Sequence, residues 1–156
     1  MDRDAFEELW TMFFPAVTRT AYLILGDAEE ARDVAQDAFV RAFQHWRKVS
    51  GLDRPEAWVH RVATNLAISA ARRRRPARAE PEPSSPGPEP PDAELLAALT
   101  ALTPSQRAVI ALRYHLDWSI EDTARALGKR PGTVRALTHQ GMERLRRDLP
   151  REPLDG

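Results

Sequence analysis

Ser119–Arg147, SIEDTARALGKRPGTVRALTHQGMERLRR, is the stretch that decides the fold. Ile120, Ala124 and Leu127 recur at helical spacing, and Ser119 with Asp122 makes an S-x-x-D start signal. Gly128 supplies a stop, because a residue without Cβ enters the left-handed conformation at little cost. Pro131 suits the first position of a second helix, where its missing N–H breaks no bond. Along that helix Val134, Leu137, Met142, Leu145 and Leu149 mark a buried side, and Arg135, His139, Glu143 and Arg147 a solvent-facing row. A short helix, a tight turn and a longer helix with a basic outer face form the helix-turn-helix arrangement that enters a DNA major groove.

Upstream of it, Asp92 is placed to cap a helix bearing Leu95, Leu96, Leu99 and Leu102. Thr103-Pro104 then opens another, carrying Val109, Ile110, Leu112 and Tyr114. Pro76 to Pro91 holds seven of the 13 prolines with glycine, serine and glutamate, a composition that cannot bury a core. Its 16 residues reach roughly 50 Å even as extended polyproline.

Before the linker, Asp4 to Leu25 is amphipathic through Phe6, Leu9, Trp10, Phe13, Val17, Ala21 and Leu25, and Pro15 is expected to split it into two helices. Asp27 with Glu30 makes a capping box for a helix to about Trp46 that buries Ala31, Val34, Ala35, Ala38, Phe39, Ala42 and Phe43. After the loop Lys48–Arg54, Pro55 opens a helix with Trp58, Val59, Val62, Ala63, Leu66 and Ala67 that ends in Arg72–Arg75. No useful alternating pattern occurs, so the expected fold is all-α. It comprises two small helical domains, 1–75 and 92–150, joined by an acidic Pro-rich linker over 76–91; the second is the helix-turn-helix domain.

The chain is 42% hydrophobic and 29% charged, as folded soluble domains are. It has no cysteine, so disulfides and thiolate metal sites are excluded, and no apolar run nears the roughly 18 residues that cross a bilayer. The acidic, amphipathic start is unlike a signal peptide. A cytoplasmic location with no membrane insertion is expected. The net charge of zero conceals segregation. Residues 1–53 carry six basic against ten acidic groups (−4), and 54–78 carry seven arginines against Glu56 (+6). Residues 80–94 carry five acidic groups and no basic one (−5), and 125–147 seven basic groups against Glu143 (+6). Two basic blocks around an acidic one suggest two nucleic-acid contacts.

Three strings then fall in order: DAEEARDVAQDAFVRAFQHW, RPEAWVHRVATNLAISAARRRR and LTPSQRAVIALRYHLDWSIEDTARALGKRPGTVRALTHQGMERLR. Together they resemble a bacterial extracytoplasmic-function sigma factor, over about Phe6 to Leu149. The resemblance implies a two-domain protein that binds core RNA polymerase and directs recognition and opening of promoter DNA. No cofactor, metal, small-molecule substrate or enzymatic activity is implied. By motif position, Asp33, Gln36, Asp37 and Phe39 would dock on polymerase, a carboxylate and amide row suiting partner arginines. Asn65 would read a minus-ten base with Arg61, Arg72, Arg73 and Arg74 on phosphates. On the residues themselves Trp58 and His60 add aromatic surface, although Trp58 falls in phase with Val62 and Leu66 and so reads as core. Arg135, Ala136, His139 and Gln140 would face the minus-thirty-five major groove, with Arg130 and Thr133 near phosphates. An anti-sigma factor is a further partner the resemblance allows.

The sequence departs from the family at Ala136, Leu137 and Gln140, where a polar residue and arginines are usual. At Gly141 an alanine is usual, so the helix either bends there or packs closely on a neighbour. Two other readings compete. One is a dimeric helix-turn-helix regulator of duplex DNA acting without polymerase. The other is a metal-dependent hydrolase built on Asp33 and Asp37.

Overall fold

The computed structural model describes residues 3–74 and 93–149. The linker over 76–91 and the expected Asp92 cap lie outside the described residues. Eight α-helices follow one another there: α1 (Arg3–Leu25), α2 (Ala28–Gln44), α3 (Trp46–Val49), α4 (Pro55–Arg74), α5 (Ala93–Leu99), α6 (Pro104–Ile110), α7 (Ile120–Leu127) and α8 (Pro131–Asp148). Between α6 and α7 one wider π turn spans Ala111–His115. No strand occurs among the described residues.

Helices α1, α2 and α4 pack side by side as the first helical set. Contrary to expectation, Pro15 does not divide α1, which runs unbroken. Proline in a helix interior costs about 3 kcal/mol by removing one hydrogen bond and crowding the preceding turn. Here the ring is exposed, while Leu9 before it and Val17, Ala21 and Ile24 after it are buried on one face. Burial of each large apolar side chain is worth about 1.5–3 kcal/mol, so packing on both flanks outweighs the lost bond. At the α1–α2 contact Phe39 is fully buried among Phe6, Trp10 and Phe14, with ring centroids 6.5, 4.8 and 5.7 Å away. Phe43, also expected inside, is 38% exposed at the edge of this cluster, 5.1 Å from Phe6.

Local signals set the helix ends. The Asp27 side chain accepts from the Glu30 amide at 2.9 Å, and Glu30 turns its own carboxylate to Arg74 at 2.5 Å. Thr103 and Gln106 form the reciprocal capping box of α6. Ser119 caps α7 through the Asp122 amide, and Gly128 closes it at φ 64°. In the π turn the Leu116 amide donates to the Ala111 carbonyl, five residues back, at 3.2 Å. Asp117 then takes φ 58°, which a short polar side chain tolerates better than most. The chain thereby reverses and Trp118 is carried inward to 8% exposure.

The second set, α5–α8, is seated on α1 and α4 rather than standing apart. Leu23 of α1 shares an apolar cluster with Leu99, Leu102, Val109 and Val134, and Ala108 of α6 shares one with Ala21, Ile24 and Ala67. Polar bonds cross the same seam. Arg107 donates to the Ile24 carbonyl at 2.5 Å, and Arg72 to the Ser105 hydroxyl at 3.0 Å.

Candidate nucleic-acid and polymerase interfaces

Helix α8 offers the first candidate surface. Pro131 stands at its first position, and Val134, Gly141 and Leu145 are buried against α6 and α7. That leaves Arg130, Thr133, Arg135, Ala136, His139 and Gln140 exposed together along its first turns. Gly141 is a close-approach glycine: a Cβ there would lie 2.6 Å from Ile110 Cδ1. The helix runs through Gly141 without interruption, so of the two expectations packing holds and bending does not. Gln140 lies beside α6 and its Oε1 accepts from Gln106 Nε2 at 3.3 Å. Arg113 and Tyr114, which the sequence reading did not select, line a groove of about 250 Å³ with Arg135, His139 and Arg146. The π turn swings them there; Tyr114, read as core, is 58% exposed. The clue available was Tyr114 itself, a polar-tipped ring just before the Asp117-Trp118-Ser119 turn.

Helix α4 offers the second. Arg61, Asn65 and Ser69 stand one turn apart on its exposed face, followed by Arg72 and Arg73. Arg61, Asn65 and Ser69 border a groove of about 500 Å³ completed by Arg41 of α2 and by Arg125 and Gly128 from α7 and its end. Three arginines line this groove, two of them, Arg41 and Arg125, paired to the Asp37 and Asp122 carboxylates beside it. The amide nitrogen of Asn65 is already committed: it donates to the Arg61 carbonyl at 3.0 Å and to the Ala126 carbonyl of α7 at 2.9 Å. Arg74 is folded back on the Leu25 carbonyl and Glu30, and Arg72 on Ser105.

His60 does not add aromatic surface. It is 4% exposed, edge-on to Trp118 at 6.0 Å, and its Nδ1 has no hydrogen-bond partner. Burial, followed by the positive ends of His115 and Arg54, lowers its pKa from 6.5 to about 4, so the ring is neutral at ordinary pH. Trp58 is half-buried on the first core, with His45 6.1 Å from its ring. Beyond it Lys48, in the short helix α3 where a loop was expected, and Leu52–Arg54 after it form one wall of a cleft of about 480 Å³, whose other wall is Trp118, Asp122 and Arg125.

The outer face of α2 is the third. Asp33, Gln36 and Asp37 are exposed in a row. Phe39 points the other way, into the core, and so is corrected as a partner-contacting residue. The apolar part of this surface is instead Val40, 50% exposed, and Phe43. Position 40 continues the 33–36–37 row at i, i+3, i+4 and i+7, a signal present in the sequence but hidden by the assumption that large apolar residues face inward. Asp37 is paired to Arg41 at 3.2 Å; both are about half exposed, and such i,i+4 pairs contribute about 0.3–0.5 kcal/mol.

Among the described residues no group of three or more His, Asp or Glu could hold a metal ion, and no helix is long and apolar enough to cross a membrane.

Comparison with known proteins gives these surfaces a common context. The sigma-70 region 2 model matches residues 9–77, and the sigma-70 region 4 model residues 92–145. The chain is 32% identical over 157 residues to the RNA polymerase sigma-E factor of Streptomyces coelicolor, covering 96% of this chain and 89% of that one. It is 29% identical over 169 residues to the ECF RNA polymerase sigma factor SigW of Bacillus subtilis, covering 95% and 90%. In fold it is similar to the sigma factor RpoE of Bartonella quintana, solved in complex with the anti-sigma factor NepR, with a TM-score of 0.75 over 92% of this chain and 95% of that one at 22% identity. With both regions matched in order and relatives aligned nearly end to end, the chain belongs to the extracytoplasmic-function sigma factors of bacterial RNA polymerase.

Proposed function

We propose that three exposed faces divide the work of promoter-specific initiation among them. The α2 row docks on core RNA polymerase, α4 with the Lys48–Arg54 segment takes the minus-ten strand, and α8 reads the minus-thirty-five duplex. The observation that carries this reading is the α2 row. Asp33, Gln36, Asp37, Val40 and Phe43 form an exposed acidic, amide and apolar surface on a helix whose opposite side is locked by Phe39. Such a mixed surface fits a partner helix bearing arginines beside apolar residues, the carboxylates giving orientation as well as attraction.

On α4, opening a promoter demands no covalent chemistry. Unstacking a base costs a few kcal/mol, which base capture and phosphate contacts must offset. Arg61 and Arg73 supply charge for the phosphates, and Asn65, whose amide nitrogen is held by the Arg61 and Ala126 carbonyls, offers its side-chain oxygen as an acceptor for a base edge. On α8, Arg135 can pair two acceptors of guanine and Gln140 two groups of adenine. Ala136 and the buried Gly141 carry no hydrogen-bonding side chain, so contacts at the minus-thirty-five element rest mainly on Arg135, His139 and Gln140. Arg113 and Tyr114 extend this face.

An anti-sigma factor covering the α2 face would silence the protein, and a fold shared with an inhibitor-bound sigma factor supports that partner class. The dimeric regulator reading has no use for the α2 row and is not favoured. The test is binding to purified core polymerase: Asp33→Arg with Gln36→Ala should weaken association at least about tenfold, the loss of one or two oriented charge contacts. Unchanged association would remove α2 as the docking face.

A further inference from the structure

Gln140 is not a freely turning side chain. Its amide oxygen, Oε1, accepts from Gln106 Nε2 at 3.3 Å. Gln106 in turn is held in one sense by the capping box of α6, where it takes the N3 position. Its own Oε1 accepts from the Thr103 amide at 3.0 Å, while its backbone amide donates to Thr103 Oγ1 at 3.2 Å. A backbone N–H only donates, so the group Gln106 turns to Thr103 is its oxygen, and the group it turns to Gln140 is its NH2. The sense of each amide is thereby set in order from Thr103 to Gln140. Gly141 makes the reach possible. With no Cβ it lets α8 approach α6 until the place of a Cβ is 3.7 Å from Gln106 Cβ. Gln106 is half-buried, whereas Gln140 is exposed with Arg135, Ala136 and His139.

We propose that Gln106 is a positioning residue for promoter reading: it holds Gln140 by the oxygen, so that Gln140 offers the major groove its NH2 group alone. The proposal deepens, and rests on, the assignment of α8 to the minus-thirty-five duplex. A freely turning glutamine takes both groups of adenine, donating to N7 and accepting from N6. With the oxygen turned toward α6 that two-point pairing is lost. What remains is a donor, which suits the keto oxygens, O6 of guanine and O4 of thymine, and is opposed by the exocyclic amines of cytosine and adenine. Gln140 thus selects keto over amino bases at its position by about fivefold, the value of one oriented hydrogen bond.

The experiment uses the full chain with core RNA polymerase and a promoter library randomised over the minus-thirty-five element, and sequencing of the bound templates gives base ratios at each position. Gln140→Ala marks the position that Gln140 reads, by erasing its preference. Gln106→Glu then tests the relay. Glutamate keeps the capping box, because one carboxylate oxygen still accepts from Thr103, but its other oxygen now requires a donor from residue 140. The Gln140 amide must turn over and present Oε1 to DNA. The proposal predicts that the unmodified chain favours guanine or thymine at the marked position about fivefold, and that Gln106→Glu reverses this toward cytosine or adenine. The added charge weakens binding to every template alike, so the ratio cancels it. Gln106→Leu removes the bond without adding charge, frees the amide, and should raise adenine at that position without a full reversal. Base ratios at the marked position that are the same in the unmodified chain and in both Gln106 variants overturn the proposal. A position marked by Arg135→Ala but none by Gln140→Ala also overturns it, and leaves α8 standing as the duplex reader. If neither variant marks a position, the α8 assignment falls, and the proposal with it.

Discussion

Lowering the pH should destabilise this protein through one ring. His60 is neutral in the fold, with its pKa lowered from 6.5 to about 4 chiefly by burial, then by His115 and Arg54. Above about pH 6.5 the ring is neutral whether the chain is folded or not, so His60 adds no pH dependence there. Below it the unfolded chain takes up a proton that the folded chain refuses, and stability falls until the pH reaches the folded value near 4. The interval from 6.5 to about 4 sets a ceiling of about 3 kcal/mol at roughly 1.4 kcal/mol per pH unit. At about pH 5 the linkage relation gives about 2 kcal/mol, a large share of the stability of a small helical protein.

Other groups in the fold also respond to pH: His115, itself lowered by burial, and Asp122, lowered first by its hydrogen bond to Arg125. The assay is therefore differential. Urea unfolding followed by circular dichroism is compared between about pH 7.5 and pH 5 for the unmodified chain and for His60→Gln, which cannot take up the proton. The unmodified chain should lose about 2 kcal/mol more than the variant over this interval. Equal losses in the two proteins would refute the reasoning, because they would mean that His60 is either solvated or charged in the fold.

Further outcomes follow from packing and charge. Gly141→Ala gains about 1 kcal/mol of helix propensity, but its Cβ meets Ile110 Cδ1, and overpacking costs about 1–3 kcal/mol. It should be neutral to destabilising alone and stabilising by about 1 kcal/mol in an Ile110→Val background, which lacks that methyl; thermal melts of the four proteins check the change of sign. Phe39→Ala should cost about 3–5 kcal/mol of stability, whereas Phe43→Ala should cost little and weaken polymerase binding instead, read by urea melts and a core-binding titration. Arg135→Ala should weaken duplex minus-thirty-five binding by about 1–3 kcal/mol and relax its specificity, read by competition between mutated sites.

How much of this could be read from the chain follows the range of the forces involved. Caps and stops are local, so Asp27, Thr103, Ser119, Gly128 and Pro131 give themselves away, and each stands at the helix end its residue type predicts. The all-α fold and the order of its helices follow from those signals and from apolar spacing. Where packing over long sequence distances decides, the sequence misleads. Pro15 is a breaker on local grounds, but α1 is held on both sides of it by α2 and α4. Phe39 and Phe43 are one turn apart and alike in chemistry, and only the rings of α1 decide that the first is buried and the second exposed.

His60 reads as aromatic surface until Trp118, 58 residues on, covers it. The wider turn at Ala111–His115 has no residue signature, yet it places Arg113 and Tyr114 beside α8. Most of the candidate site was therefore legible as a set of faces. Which side chains are free to act on each face was not, because α7 and α4 meet across 61 residues of sequence between Asn65 and Ala126.

The central claim, that this chain converts core polymerase into a promoter-specific enzyme, is tested most directly by transcription itself. Purified core polymerase from the source bacterium is mixed with the full chain and a library of genomic fragments, and run-off transcripts are sequenced. The account predicts discrete start sites that appear only when the chain is added and that share elements near minus ten and minus thirty-five. Transcripts no different from those of core polymerase alone, across the whole library, would contradict it.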